Sequence, residues 1–260
     1  MSSAETASSM SEARLTSLTI ESPAPPRTIA VRVRTGKSPG LVWLGGFKSD
    51  MNGTKAQALA DWALAAGRAY VRFDYFGHGE SSGDFVDGTI TRWREDAIAA
   101  LNELTAGPLV LVGSSMGGWI ACLAALAMAR RVKAMVLIAP APDFTETLMA
   151  PEIPPEGRAA LARDGVWLRP SEYGDPYPIS ARLLEDGARW SILDSEIPID
   201  VPVRVLQGGE DPDVPWRHAL ELAQAIKGQD VVFTLIKDGD HRLSRPQDIA
   251  RLIAAVDELP

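Results

Sequence analysis

The chain has 260 residues, of which 46 % are hydrophobic and 23 % charged, and a formal net charge of −8. That is ordinary globular composition, and the acidic balance argues against nucleic acid and anionic membrane as partners. The single cysteine, Cys122, excludes an internal disulfide and a multi-cysteine metal site, and it is expected to be a small buried filler. In chain order, the opening MSSAETASSMSE carries neither the apolar core of a secretory signal nor the arginines of a transit peptide. Residues 1–14 are therefore expected to form a disordered tail of a cytoplasmic protein. Strands are expected at Leu15–Ile20, Ile29–Arg34, Leu41–Leu44, Ala69–Phe73, Leu109–Val112 and Ala134–Ile138, where short apolar runs end in turn residues. Helices are expected between them at Lys55–Ala66, Trp93–Leu104 and Gly117–Ala129. Residues 141–201 break this rhythm with proline, tryptophan and charge, and carry short helical patterns at Glu156–Arg163 and Ser180–Trp190. The alternation resumes with a strand at Val203–Gln207, a helix at Pro215–Ile226, a strand at Val231–Ile236 and a helix at Gln247–Leu259.

Strand and helix in alternation imply a mostly parallel sheet of eight strands with helices on both faces. Residues 15–260 are then one domain, with residues 141–201 inserted above the sheet as a small helical cap. No run of about 18 apolar residues is present, so no membrane insertion is expected.

Chemistry concentrates where the fifth strand meets the next helix. Gly113-Ser114-Ser115-Met116-Gly117 fits G-x-S-x-G, a turn so tight that its flanking residues must be glycines. Such a turn lifts the Ser115 hydroxyl out of the sheet and sets the Met116 N–H at a helix start, where it can hold an oxyanion. Ser114 is expected to face the other way, held by a local hydrogen bond. The competing reading of this turn is a phosphate-binding or merely tight connection. A serine needs a base, and the chain has only three histidines. His78 precedes the serine, and His218 lies on the polar side of a helix as an expected surface residue. His241 follows the last strand, on a loop that can reach the carboxyl edge of the sheet, and is the expected base. Asp143, Glu210, Asp211 and Asp213 are all candidates for the acid that orients it. A second oxyanion donor is expected from the Phe47 N–H after Gly45-Gly46. Trp167, Leu168, Leu183 and Trp190 in the insertion are expected to line an acyl pocket.

Together these segments resemble the α/β-hydrolase superfamily. GSSMGG is similar to its nucleophile elbow, WLGGF to its oxyanion strand, FDYFGHGES to its D-x-x-G-x-G-x-S loop and GDH to its histidine loop. QGGEDPDVP is similar to the superfamily's acid turn, which implies Asp211 as the acid and a structural role for His78. GGFKSDMNGTKA, VRFDYFGHGESSG, GVWLRPSEY and DPDVPW further resemble a mitochondrial branch, the α/β-hydrolase domain-containing protein ten branch of acyl-glucuronide esterases and palmitoyl-protein thioesterases. The chain departs from that branch in lacking a recognisable transit peptide. Gln207 also stands where a histidine is frequent, a change expected to matter little. The resemblance implies a serine hydrolase of carboxylic esters or thioesters, acting on a small-molecule or acylated substrate without metal or cofactor. A ligand-binding protein with a vestigial triad, or a lyase or peroxidase on the same scaffold, are the alternatives. Oligomeric state is left open.

Overall fold

The computed structural model describes residues 14–21, 26–170 and 176–260. Of the expected tail at residues 1–14, residues 1–13 lie outside them and Arg14 opens the first strand. In chain order the elements are β1 (Arg14–Ile20), β2 (Arg27–Arg34), β3 (Lys37–Leu44), α1 (Thr54–Ala66), β4 (Arg68–Phe73) and α2 (Ile90–Glu103). Next come β5 (Leu109–Ser114), α3 (Met116–Ala127) and β6 (Val132–Ile138). Between β6 and the next sheet strand lie α4 (Pro155–Asp164), β7 (Val166–Arg169), β8 (Tyr177–Ser180) and α5 (Ala181–Gly187). The chain closes with β9 (Val203–Gly208), α6 (Trp216–Ala225), β10 (Val231–Ile236) and α7 (Pro246–Asp257).

Eight strands form one sheet in the order β1-β2-β4-β3-β5-β6-β9-β10. Only β1·β2 and β2·β4 pair antiparallel; from β4 to β10 every pairing is parallel. The two-residue period of a strand divides its side chains between two cores. Val42, Leu44, Leu109 and Leu111 join Trp93 of α2 and Trp119 of α3 on one face. Leu41, Trp43, Val110 and Val112 join Leu59 of α1 and Leu252 of α7 on the other. Central strands buried on both faces read as continuous apolar runs, which is why β5 and β6 are so plain in the sequence.

The expected sheet strands are all present, with ends moved by a few residues. α2 starts three residues before the expected Trp93, because Thr89 caps it and accepts the Arg92 N–H. The expected helix at Ser180–Trp190 is shorter. Ser180 caps α5 by accepting the Leu183 N–H, and residues 188–190 tighten into a 3₁₀ turn. The antiparallel hairpin β7–β8 was not expected; its strands have four residues each, and Trp167 stands opposite Ile179.

Candidate active site

Ser115 sits between the last residue of β5 and the first of α3, with φ 55° and ψ −122°. This is a strained backbone for a residue with a Cβ. Its flanking glycines have no room for side chains: a Cβ on Gly113 would lie 2.3 Å from the Gly117 carbonyl oxygen, and one on Gly117 2.0 Å from that of Leu44. The Ser115 N–H donates to the Ile138 carbonyl, and its own carbonyl accepts from Gly118 and Ala141. The turn is thereby clamped between β6, α3 and the start of the insertion.

The other two polar groups arrive from the loops after β9 and β10. His241 Nε2 lies 3.1 Å from Ser115 Oγ, and His241 Nδ1 lies 2.9 Å from Asp211 Oδ2. A carboxylate only accepts, so Nδ1 carries the proton and Nε2 is free to accept the serine O–H. Asp211 Oδ1 accepts the Asp213 and Val214 N–H groups at 2.9 Å each, while Oδ2 also accepts from Gln207 Nε2 at 3.0 Å. The Asp211 carboxylate is thus fully enclosed, whereas the His241 side chain keeps 22 % of its surface exposed. The rival acids are not hydrogen-bonded to His241, although the Asp213 carboxylate comes within 4.8 Å of the pair. Glu210 and Asp213 are exposed, and the buried Asp143 carboxylate accepts from Ser191 Oγ and the Ile192 and Leu193 N–H groups.

Gly46 brings the loop after β3 against the serine: a Cβ there would lie 3.3 Å from that of Ser115. Phe47 follows, half-buried, its ring edge-on to Phe85 at 4.8 Å and to Phe144 at 5.7 Å. Among the described residues the Phe47 and Met116 N–H groups are seen to donate no hydrogen bond. The neighbouring Lys48 N–H instead donates to His78 Nε2 at 3.1 Å, and the His78 Nδ1–H reaches the Phe76 carbonyl. Burial holds the His78 imidazole down at about 4, so it is neutral and able to accept. Asp74 pins the same loop, accepting the Met51 N–H on one oxygen and the Glu80 N–H on the other.

Two expectations about single residues are corrected. His218 is buried rather than solvated, its Nε2 2.7 Å from the Pro142 carbonyl. The four apolar residues of the insertion do not form one pocket wall. Leu168 is 61 % exposed and Leu183 is buried in the main core. Trp167 packs on Gly157 of α4, while the Trp190 indole donates to Thr91 Oγ1 and is stacked by Arg94. Cys122 is buried as expected, its thiol pushed up to about 12 by desolvation.

The sequence and fold that carry this arrangement have counterparts among known proteins. The profile of the alpha/beta hydrolase family matches residues 39–252. The chain belongs to the α/β-hydrolase family. It is 37 % identical over 233 residues to the bovine protein named palmitoyl-protein thioesterase ABHD10, mitochondrial, covering 89 % of this chain and 76 % of that one. Among solved structures, a protein from Agrobacterium vitis S4 matches with a TM-score of 0.91 and 44 % identity, over 95 % of this chain and 98 % of that one. Mouse α/β-hydrolase domain-containing protein 10 matches with a TM-score of 0.85 and 35 % identity over the same shares, 95 % and 98 %. The mitochondrial names of the curated relatives overturn the cytoplasmic location expected above. That expectation rested on the composition of a few opening residues, and targeting segments are separate from the part of a chain that folds. Among the described residues no helix is long and apolar enough to cross a membrane.

Proposed function

We propose that this hydrolase cleaves carboxylic esters or thioesters through an acyl-enzyme on Ser115. The relatives named palmitoyl-protein thioesterase make a fatty-acyl thioester the first substrate class to consider, with acyl esters and acyl glucuronides beside it. The continuous chain Ser115 Oγ, His241, Asp211, at 3.1 and 2.9 Å, carries the reading. In the mechanism His241 Nε2 takes the Ser115 proton as Oγ adds to the acyl carbonyl. The resulting oxyanion is received by the Phe47 and Met116 N–H groups, donors not spent inside the fold. Collapse expels the thiolate or alkoxide, which takes the proton from His241. Water then attacks the acyl-enzyme with the same base, releasing the acid and restoring Ser115. Asp211 holds the imidazole in the Nδ1–H form and stabilises its transient charge.

Residues 15–260 read as one domain in which residues 141–201 act as the cap. The Phe47 ring, after the oxyanion loop, meets Phe144 of the insertion edge-on at 5.7 Å, so the insertion adjoins that loop and bears on acyl selectivity through its position. The test is turnover of a short p-nitrophenyl ester and an acyl thioester with burst analysis. Ser115→Ala is expected to lower kcat by about 10⁴-fold or more, and Ser114→Ala to retain most of it. Equal losses at the two serines, or turnover surviving Ser115→Ala, defeat the proposal.

A further inference from the structure

Gln207, at the end of β9, has no exposed surface. Its Nε2 lies 3.0 Å from Asp211 Oδ2, 3.0 Å from the Val214 carbonyl and 3.2 Å from the Gly208 carbonyl. All three are acceptors, so the amide has one possible orientation; turned over, its oxygen would face three oxygens. In that orientation Oε1 is buried with no hydrogen-bond partner among the described residues. A buried polar atom without a partner is costly, and a leucine or methionine of similar volume would avoid it. What such a residue would lose is the N–H on Asp211.

We propose that Gln207 is a positioning residue, whose amide fixes Asp211 Oδ2 towards His241 and moderates the charge that the imidazole meets. This rests on the roles given to Asp211 and His241 above. Oδ1 is already held by two backbone N–H groups, those of Asp213 and Val214. Among the described residues Oδ2 meets His241 Nδ1 and Gln207 Nε2. Without the amide the carboxylate can turn about its fixed oxygen, and the partly exposed His241 side chain alone would set its angle. The same amide ties both ends of the turn, Gly208 and Val214, to the strand that carries it. A neutral donor on Oδ2 also draws off part of the negative charge that favours the imidazolium.

The remaining charged groups around this pair are Glu210 and Asp213 on the same turn and Asp240 and Arg242 beside His241. Lys55 of α1 completes the set, its Nζ donating to the Arg242 carbonyl. None of these changes in the variants that test the idea.

Gln207→Met keeps the volume and removes the donor. Its kcat is expected to fall about tenfold or more, as misorientation of a reacting group does, with KM changed less than about twofold. The acid limb of its kcat/KM profile should move to higher pH, because the uncompensated carboxylate favours protonated His241. Gln207→Glu supplies a donor only while the new carboxyl is protonated. Its kcat/KM should therefore fall with rising pH over a range in which the wild type is flat, an alkaline limb that Gln207→Met, with no ionisable group, should not show. Wild-type kcat and limb in Gln207→Met, or a wild-type profile in Gln207→Glu, overturn the proposal. If Gln207→Met does not fold, the Gln207→Glu profile decides alone: the alkaline limb supports the inference and its absence sinks it. Ser115→Ala in the same assay separates the two levels, since activity surviving that change defeats the nucleophile assignment and not the role of Gln207.

Discussion

Two buried aspartates near the elbow illustrate how differently one residue type can be used. Asp211 accepts from His241, Gln207 and two backbone amides, and Asp143 accepts from Ser191 and two backbone amides. Only the first is linked to an imidazole that reaches Ser115. Asp211→Asn should therefore lower kcat by about 10³–10⁴-fold even for the folded fraction, beside a stability cost of the same kind as at Asp143. Asp143→Asn should keep kcat for the folded fraction but cost about 1.5–3 kcal/mol, the worth of charge-assisted hydrogen bonds, read from denaturant melts. The reverse outcome would make Asp143 the acid. The Ser115–His241 pair that the structure brings together was legible in the sequence, because the glycine turn falls between a strand and a helix and three histidines leave few choices. Asp211 needed the family resemblance, since hydropathy cannot say which of several neighbouring carboxylates a turn directs inward. His218 was misread although a signal existed: it stands four residues before Leu222, so both lie on the buried face of α6.

At the scale of elements, the strands buried on both faces were the easiest to read and the insertion the hardest. The β7–β8 hairpin joins two four-residue strands, one containing Pro178, and neither is long enough to display an alternation. The loop after β4 has a consequence for pH. His78 Nε2 accepts the Lys48 N–H only while the imidazole is neutral, and burial holds it near 4 against an ordinary value of about 6.5. Between those values the unfolded chain binds a proton that the folded one refuses, so stability falls as pH drops through this window. The two values bound the loss at about 3 kcal/mol, complete below pH 4. The buried carboxyls of Asp74 and Asp96 are shifted upward by burial and act in the opposite sense, so the wild type alone is not diagnostic. The difference between wild type and His78→Gln is. Unfolding free energies from pH 7 to pH 4 should converge as the pH falls, and parallel curves would refute the assignment of that slope to His78.

For the whole molecule, the eight-stranded sheet and its two cores follow from apolar runs and their two-residue period, and the order of the strands follows from the fold family. Compartment does not follow from either, because the residues that direct a protein to an organelle need not take part in its core. One local feature does reach the scale of the entire fold. Ser115 holds a backbone angle of 55° that glycine adopts without penalty, and such strain amounts to roughly 1–3 kcal/mol. Ser115→Gly should therefore be inert yet melt higher, by about 2–4 °C for each kcal/mol relieved, provided the added freedom of the unfolded chain does not consume the gain. A calorimetric scan of Ser115→Gly beside Ser115→Ala separates relief of strain from loss of the hydroxyl; a glycine variant melting below the alanine one would deny the strain. Selection for activity and selection for stability thus pull in opposite directions at this position. In a lineage released from its substrate, the elbow is where drift towards a more durable, silent protein would meet least resistance.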